Sequence, residues 1–353
     1  MRPCLLILLA VISYSENISA DNYAFLISAG QATSDNESGN PEFWYDLYLA
    51  YENLLVYEQY DSGKVFVFYG DGMDFNTSED RYKKERHDWE QITDYNNSYN
   101  TMYSVISSLN NVITDDDNIF FYWVSGHAMK TDCNDDDSYI AEITHDYYYE
   151  VVNKTQLLNL INSITHYNKR KIFWMTCYSG AMGGGFINPN NEKTVLLTSS
   201  SSEEESYGFR DVDGLFHTSL GYAYYVLSTR EFPFSMPYHD YYDVCHYYVD
   251  HDCDSLISLN EMYYGMWLFH YYLTIDLSPQ LFDVGNISNS VFIGESKKIE
   301  DVTINVDSSY WLDSLEVSDV TFDNGIDVLI KTDVQCVIKD NTYVPVGSTL
   351  MIK

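Results

Sequence analysis

The sequence predicts an α/β fold: a mainly parallel β-sheet flanked by helices on both faces, followed by a small C-terminal all-β domain. Over residues 21–285, short apolar runs that suit buried strands alternate with segments of helical spacing. From about residue 286 to 353, short alternating runs are separated by Asp, Asn and Gly, which is typical of a compact β-domain. Strand and helix in repetition favour parallel strands in one sheet with helices covering it.

The predicted elements of the α/β part follow one another in chain order. Strands are predicted at 23–28, 64–69, 118–124, 171–175 and 194–198. Helices are predicted at 44–57, 99–109, 156–164 and 216–227. Because ligands bind outside the carboxyl ends of parallel strands, functional residues are expected just after Val124, Met175 and Thr198.

The strongly negative charge of the chain limits the kinds of partner that it can bind. With 19 Lys and Arg residues against 53 Asp and Glu residues, the formal net charge is −34. Phosphate backbones bind to basic protein surfaces, so we expect no nucleic-acid partner. An acidic surface of this kind either serves solubility or recruits Ca²⁺ and basic substrates, and composition leaves both readings open.

The N-terminus has the pattern of an export signal. Arg2 is followed by an apolar run at residues 5–12, and small residues precede the junction between Ala20 and Asp21. We therefore interpret residues 1–20 as a signal peptide and expect a secreted or cell-surface protein; the alternative is an N-terminal strand of the mature fold. No apolar stretch reaches the ~20 residues that a transmembrane helix needs, so no transmembrane segment is predicted.

A histidine and a cysteine follow two consecutive predicted strands. The segment GHA at 126–128 follows the third strand, and TCYSG at 176–180 follows the fourth. A cysteine becomes a nucleophile when a neighbouring histidine takes its proton, and the carbonyl oxygen under attack needs fixed N–H donors. On spacing alone, Cys177 and His127 are either a catalytic pair, or a buried apolar residue and a solvated or structural histidine.

These segments resemble the caspase–legumain class of cysteine peptidases over roughly residues 22–282. Legumain-like enzymes have a strand ending in Asp-His-Gly and a later strand ending in Ala-Cys-x-Ser-Gly, which GHA at 126–128 and TCYSG at 176–180 resemble. They also have a strand ending in Thr-Ala-Ser, followed shortly by Glu-Ser-Ser-Tyr. Here TSS at 198–200 and EESY at 204–207 are similar.

The resemblance implies a secreted cysteine endopeptidase that hydrolyses peptide or protein substrates through a thioester. Cys177 is then the nucleophile and His127 is its proton-transfer partner. The oxyanion hole and the substrate-binding cleft are expected to involve Gly126, Ala128, Ser179, Gly180, Ser199 and Ser200. No cofactor is required for this chemistry.

Two departures from the family limit what the resemblance implies. Ala128 stands where the family has glycine after the histidine, and Met175 stands where legumains have an acidic residue two before the cysteine. Specificity for asparagine therefore does not transfer, and the acidic residues at 203–205, 211 and 213 make a preference for basic substrates an equal alternative. The altered histidine segment also leaves a second reading, an inactive caspase-like pseudoenzyme that acts as a calcium-binding surface or adhesion protein.

Residues 250–261 (DHDCDSLISLNE) have the spacing of an EF-hand calcium loop. The expected ligands of this loop are Asp250, Asp252, Asp254, the backbone carbonyl of Leu256, Ser258 and Glu261. Ser255 stands at the sixth position, where glycine is expected for the sharp turn. We predict a structural Ca²⁺ here; the alternative is a chance acidic run in an Asp-rich chain.

Overall fold

The structure is a computed structural model that describes residues 21–28, 41–124, 127–145, 148–186, 191–210, 215–229, 249, 257–273, 277–293, 298–300, 303–304, 308–318, 321–322, 327–338 and 349–352. The predicted signal peptide at residues 1–20 lies outside these ranges. Among the described helices, none combines the length and the apolar character needed to cross a bilayer.

The elements of the α/β part are numbered in chain order. The strands are β1 (Asn22–Ser28), β2 (Val65–Tyr69), β3 (Asn118–Val124), β4 (His127–Lys130), β5 (Tyr139–His145), β6 (Tyr148–Asn153), β7 (Lys169–Met175), β8 (Thr194–Thr198), β9 (Gly208–Arg210), β10 (Phe216–Thr218), β11 (Ile257–Ser258), β12 (Gln280–Asp283) and β13 (Phe292–Ile293). The helices are α1 (Pro41–Glu52), α2 (Tyr99–Ser108), α3 (Lys154–Ile161), α4 (Ser219–Thr229) and α5 (Leu259–Leu273). Short 3-10 turns lie at Ser62–Lys64, Asp80–Tyr82, Lys84–His87, Leu109–Asn111, Asp136–Ser138, Ser179–Gly185 and Ser288–Ser290.

A six-stranded sheet with the order β12-β8-β7-β3-β1-β2 forms the centre of the α/β part. Its strands pair in parallel except β12, which runs antiparallel to β8 at one edge. The predicted mainly parallel sheet is therefore confirmed, with an antiparallel edge strand that the sequence reading did not include. Continuous apolar runs suit these strands because both faces of the sheet are covered.

Helices cover both faces of the sheet, as predicted. Successive side chains of a strand point to opposite faces, so neighbours in β1 enter different cores. Leu26 belongs to the core beneath α1, α4 and α5, whereas Phe25 belongs to the core beneath α2 and α3. Aromatic rings fill much of both cores; Trp123 and Trp174 stack across β3 and β7 with ring centroids 4.5 Å apart.

Two predicted helices differ from the structure at their ends. The helix predicted at 44–57 ends at Glu52, and a π-helical segment, Asn53–Tyr57, follows it. The helix predicted at 216–227 begins only at Ser219, because residues 216–218 form β10. Thr218 explains this start, since its hydroxyl oxygen accepts a hydrogen bond from the backbone N–H of Gly221 at 3.2 Å and so caps the first turn.

A second, three-stranded antiparallel sheet of β4, β5 and β6 follows β3, and the sequence reading did not predict it. Further along the chain, β11 pairs with β13, and the short strands β9 and β10 pair with each other. After Ile293 the described strands are β14 (Lys298–Glu300), β15 (Thr303–Ile304), β16 (Ser308–Ser318), β17 (Thr321–Phe322), β18 (Asp327–Ile338) and β19 (Thr349–Ile352). The all-β domain at 286–353 remains a prediction.

Candidate active site

The carboxyl ends of β3, β7 and β8 lie side by side in the central sheet. Val124 and Met175, the last residues of β3 and β7, pair in register, and β8 ends beside β7. His127 begins β4 just beyond β3, and Cys177 lies just beyond β7. The turn at residues 199–200 follows β8. The parallel sheet therefore places these three segments at one edge of the molecule.

Cys177 is half-buried within the cysteine turn, residues 176–180. Its thiol donates to the backbone carbonyl oxygen of Ser206 across 3.6 Å. Burial raises the pKa of the Cys177 thiol and the negative charge of Glu205 raises it further, while hydrogen bonding with the backbone of Ser206, Ala128 and Cys177 opposes the rise. The raised pKa means that the thiol is neutral at neutral pH in the free protein.

His127 occupies an exposed position at the start of β4. It pairs in antiparallel register with Glu142 of β5, and the next residue, Ala128, is buried. Because the Ala128 backbone hydrogen-bonds to the Cys177 sulfur, the main chain at 127–128 is adjacent to the thiol. An alanine carries the same N–H as a glycine, so the departure at this position keeps the donor. Gly126 lies outside the described residues.

Ser179, Ser199 and Ser200 form a buried hydrogen-bonded cluster beneath the cysteine turn. All three have no exposed surface. The N–H of Ser200 donates to Ser179 Oγ at 3.0 Å, and its hydroxyl donates to the Thr176 carbonyl oxygen at 3.1 Å. The Ser206 hydroxyl donates to Ser199 Oγ at 2.9 Å. In the free protein these buried serines hold the cysteine turn; their role in the substrate cleft stays a prediction.

Gly180 is buried as well and serves a close approach between chain segments. A Cβ atom built there would lie 2.6 Å from the backbone nitrogen of Ser202 and 2.3 Å from Gln280 Oε1. Either distance is below normal contact, so only glycine lets the cysteine turn pack against the loop after β8. Its predicted place in the oxyanion hole or substrate cleft stays a prediction.

The loop after β8 is held from two sides by its first two glutamates. Glu203 forms an ion pair with Lys130 of β4, in which Lys130 Nζ lies 3.3 Å from Glu203 Oε1, and the Lys130 side chain is 3% exposed. Glu204 accepts from the N–H and hydroxyl of Ser278 at 2.9 and 2.8 Å. The negative charge of the third glutamate, Glu205, raises the pKa of the Cys177 thiol. Residues 211 and 213, the other predicted acidic positions, lie outside the described ranges.

Tyr139 of β5, which the sequence reasoning did not select, connects the small sheet to the cysteine turn. Its hydroxyl is fully buried, accepts from Trp174 Nε1 at 3.0 Å and lies 2.6 Å from Thr176 Oγ1. The Thr176 hydroxyl donates to the Cys177 carbonyl oxygen at 2.9 Å, so the Tyr139 hydroxyl is the donor to Thr176. Burial raises the pKa of Tyr139 well above its ordinary value, which keeps this hydroxyl protonated. No local sequence signal marks it.

A buried His–Asp pair is connected through Thr218 to Met175, the last residue of β7. Met175 is buried, and the Thr218 hydroxyl donates to its sulfur at 3.3 Å. His217 Nδ1 and Asp46 Oδ1 are 2.9 Å apart, and neither side chain is exposed. Asp46 also accepts from the backbone N–H of Thr218 at 2.7 Å. Met175, two residues before Cys177, therefore contacts the Thr218 hydroxyl and is not open to solvent.

The predicted calcium loop is described only from residue 257 onward. Asp250, Asp252, Asp254 and Leu256 lie outside the described residues. Ser258 and Glu261 form a capping box at the start of α5: Glu261 Oε2 accepts from the Ser258 hydroxyl and N–H, and Ser258 Oγ accepts from the Glu261 N–H. Within the described ranges, no group of three His, Cys, Asp or Glu side chains could hold a metal ion.

No protein-family model matches the chain. A search of curated proteins also found no significant match. Assignment of a function therefore rests on the residues and geometry of the site.

Proposed function

We propose that this chain is a secreted cysteine endopeptidase with a caspase-like arrangement of its sheet and catalytic residues. Cys177 is the nucleophile, His127 transfers the proton, and a peptide or protein is the substrate. One observation carries the proposal: Cys177 and His127 lie just beyond β7 and β3, which are parallel neighbours whose last residues, Met175 and Val124, pair in register. This places a thiol and an imidazole, with the main chain of Ala128, at one end of the sheet, where acyl transfer to sulfur needs a nucleophile, a proton acceptor and backbone donors.

The proposed reaction proceeds in two steps. The Cys177 sulfur attacks the scissile carbonyl carbon while the thiol proton passes to the His127 imidazole. The negative oxygen then accepts hydrogen bonds from the N–H groups of Cys177 and Ala128. Collapse breaks the C–N bond, His127 protonates the leaving amine, and a thioester remains. His127 next takes a proton from water, which attacks the thioester and regenerates the thiol.

The resting thiol must leave its hydrogen bond to Ser206 before it can attack. In the free protein the thiol donates to the Ser206 carbonyl, and burial raises its pKa, which favours the neutral form. We therefore expect activation to depend on substrate binding and on His127, instead of on a permanent thiolate. Simple alkylating reagents should react slowly with Cys177 at neutral pH, because the thiolate is the reactive species.

The test is labelling with a substrate-like thiol reagent, such as a peptidyl acyloxymethyl ketone library. We expect selective labelling of Cys177 in the wild-type protein, none in Cys177→Ser, and a loss of about 100-fold or more in rate in His127→Ala. The exposed Cys133 provides an internal control within the same protein. Labelling of Cys133 and Cys177 at equal rates, without an effect of His127→Ala, would contradict the proposal.

Calcium binding at residues 250–261 is a second part of the proposal. Glu261 stands at the twelfth position of the loop, where an EF-hand has the glutamate that closes the calcium shell. Together with Ser258 it would complete the end of the loop, and the ion would stabilise the start of α5. This role is structural, and no reaction step depends on it.

A pseudoenzyme is the second candidate, and the site contains an observation that favours it. The thiol is neutral, bound to the Ser206 carbonyl and next to the negative Glu205, as expected for an unreactive cysteine. In that case the protein would act as a calcium-binding surface or adhesion protein. The substrate-like label distinguishes the two functions, because a pseudoenzyme would show no selective, His127-dependent reaction at Cys177.

A further inference from the structure

Glu205 differs from the two glutamates before it in having no strong partner. Glu203 pairs with Lys130, and Glu204 accepts from Ser278. Glu205 is exposed, and within the described ranges no cation lies at ion-pair distance from it. Its two carboxylate oxygens face the hydroxyls of Tyr178 and Tyr207 at 3.4 and 3.5 Å, which is long for an O–H···O hydrogen bond.

Glu205 lies close to the Cys177 sulfur in the chain segments that meet at the site. It immediately precedes Ser206, whose carbonyl oxygen accepts from the Cys177 thiol, and Tyr178 immediately follows Cys177. Tyr207 is 56% exposed, so the group is open to a peptide that approaches the thiol. An exposed carboxylate between two tyrosine hydroxyls matches a cationic side chain, because it offers negative charge and acceptor oxygens together.

We propose that Glu205, between Tyr178 and Tyr207 beside Cys177, recognises a lysine or arginine side chain of the peptide substrate. This inference rests on the proposed peptidase function and adds a substrate class to it. The strongly acidic chain, with a net charge of −34, would draw such peptides toward the site. A bound cation would form the charge-assisted hydrogen bonds that the tyrosine hydroxyls do not supply.

Binding of a cation would also change the chemistry of the thiol. After burial, the negative charge of Glu205 is the main cause that raises the Cys177 pKa. A substrate ammonium or guanidinium at Glu205 would offset that charge, so the thiolate would form more readily when a basic substrate is in place. Recognition and activation would then depend on the same carboxylate.

The test compares peptides that differ in one charge. A set of fluorogenic peptides would place a single arginine at each position around the scissile bond, with citrulline, its neutral isostere, in a matched set. The wild-type protein should prefer arginine at one position by about tenfold or more in kcat/KM. Glu205→Gln should abolish that preference, so that arginine and citrulline peptides are cleaved with equal kcat/KM. Asp116→Asn, an exposed acid before β3 at the opposite end of the strand, should retain it.

A second readout does not depend on peptide cleavage. In a Cys133→Ser background, the rates of modification of Cys177 by aminoethyl and sulfonatoethyl methanethiosulfonate would be compared by peptide mass mapping. Glu205→Gln should lower the ratio of cationic to anionic rates by about tenfold. Cleavage of arginine and citrulline peptides at equal rates, with the same reagent ratio in both proteins, would overturn this inference and leave the peptidase intact. Absence of cleavage of every peptide would overturn the peptidase itself.

Discussion

Substitution of Tyr139 by phenylalanine tests the connection between the small sheet and the cysteine turn. The hydroxyl is fully buried, accepts from Trp174 Nε1 at 3.0 Å and donates to Thr176 Oγ1 at 2.6 Å. Its removal leaves the indole N–H without this acceptor, and a buried unsatisfied donor costs about 1–3 kcal/mol. With the second bond also lost, we expect the free energy of unfolding to fall by about 2–3 kcal/mol, which lowers Tm by about 4–12 °C.

The same substitution should slow the reaction of Cys177 with a substrate-like label, because Thr176 then loses the contact that orients the cysteine turn. Tyr167→Phe is the matched control: its hydroxyl lies 3.2 Å from Thr194 Oγ1 at the opposite end of β8. The control should lower Tm modestly and leave the labelling rate unchanged. Equal stability and equal labelling in Tyr139→Phe and wild type would refute the reasoning.

Three further predictions concern calcium, pH and packing. Ca²⁺ should raise Tm relative to chelator, and Asp250→Ala should remove that rise; equal melting curves in the wild type would rule out the calcium loop. Burial raises the Glu52 carboxyl pKa, but the hydrogen bonds and charge of Arg81 outweigh it and hold this pKa below its ordinary 4.5. Arg81 donates to both carboxylate oxygens of Glu52, so the stability that this pair contributes is fully present above pH 4.5 and is lost as pH falls through the lowered folded-state pKa. Glu52→Gln should therefore destabilise by about 3–5 kcal/mol at pH 7 and by progressively less as pH falls below 4.5 in urea titrations; a pH-independent difference would contradict this. Gly180→Ala should destabilise by about 1–3 kcal/mol and slow labelling of Cys177, whereas Gly63→Ala, where the nearest atom is 3.5 Å away, should do neither.

The central sheet could be predicted because its strands are buried on both faces. A short, continuous apolar run rich in aromatic residues, such as NIFFYWV at 118–124, is typical of a buried strand in a chain where strands and helices alternate. The structure confirms the strand there. The small sheet at 127–153 could not be predicted in the same way. Its sequence is rich in Asp and Tyr, and contacts distant in sequence, such as Tyr139 with Trp174, hold it in place.

The strand ends were predictable, but the direction in which each side chain faces was not. Cys177 and His127 follow β7 and β3, as their apolar runs indicated. Ser199 and Ser200 also follow a strand, yet both are fully buried. A turn after a strand has an inner and an outer side, and the neighbouring loop decides which residues it covers. That information comes from tertiary packing, which the local sequence does not contain.

Peptide cleavage by matched wild-type and Cys177→Ser proteins tests the central claim most directly. A defined peptide mixture would be incubated with each protein in the presence of Ca²⁺, and new termini would be identified by mass spectrometry. The account predicts new termini with the wild type, none with Cys177→Ser, and near-complete loss with His127→Ala. New termini formed equally by Cys177→Ser, or none with the wild type, would contradict it.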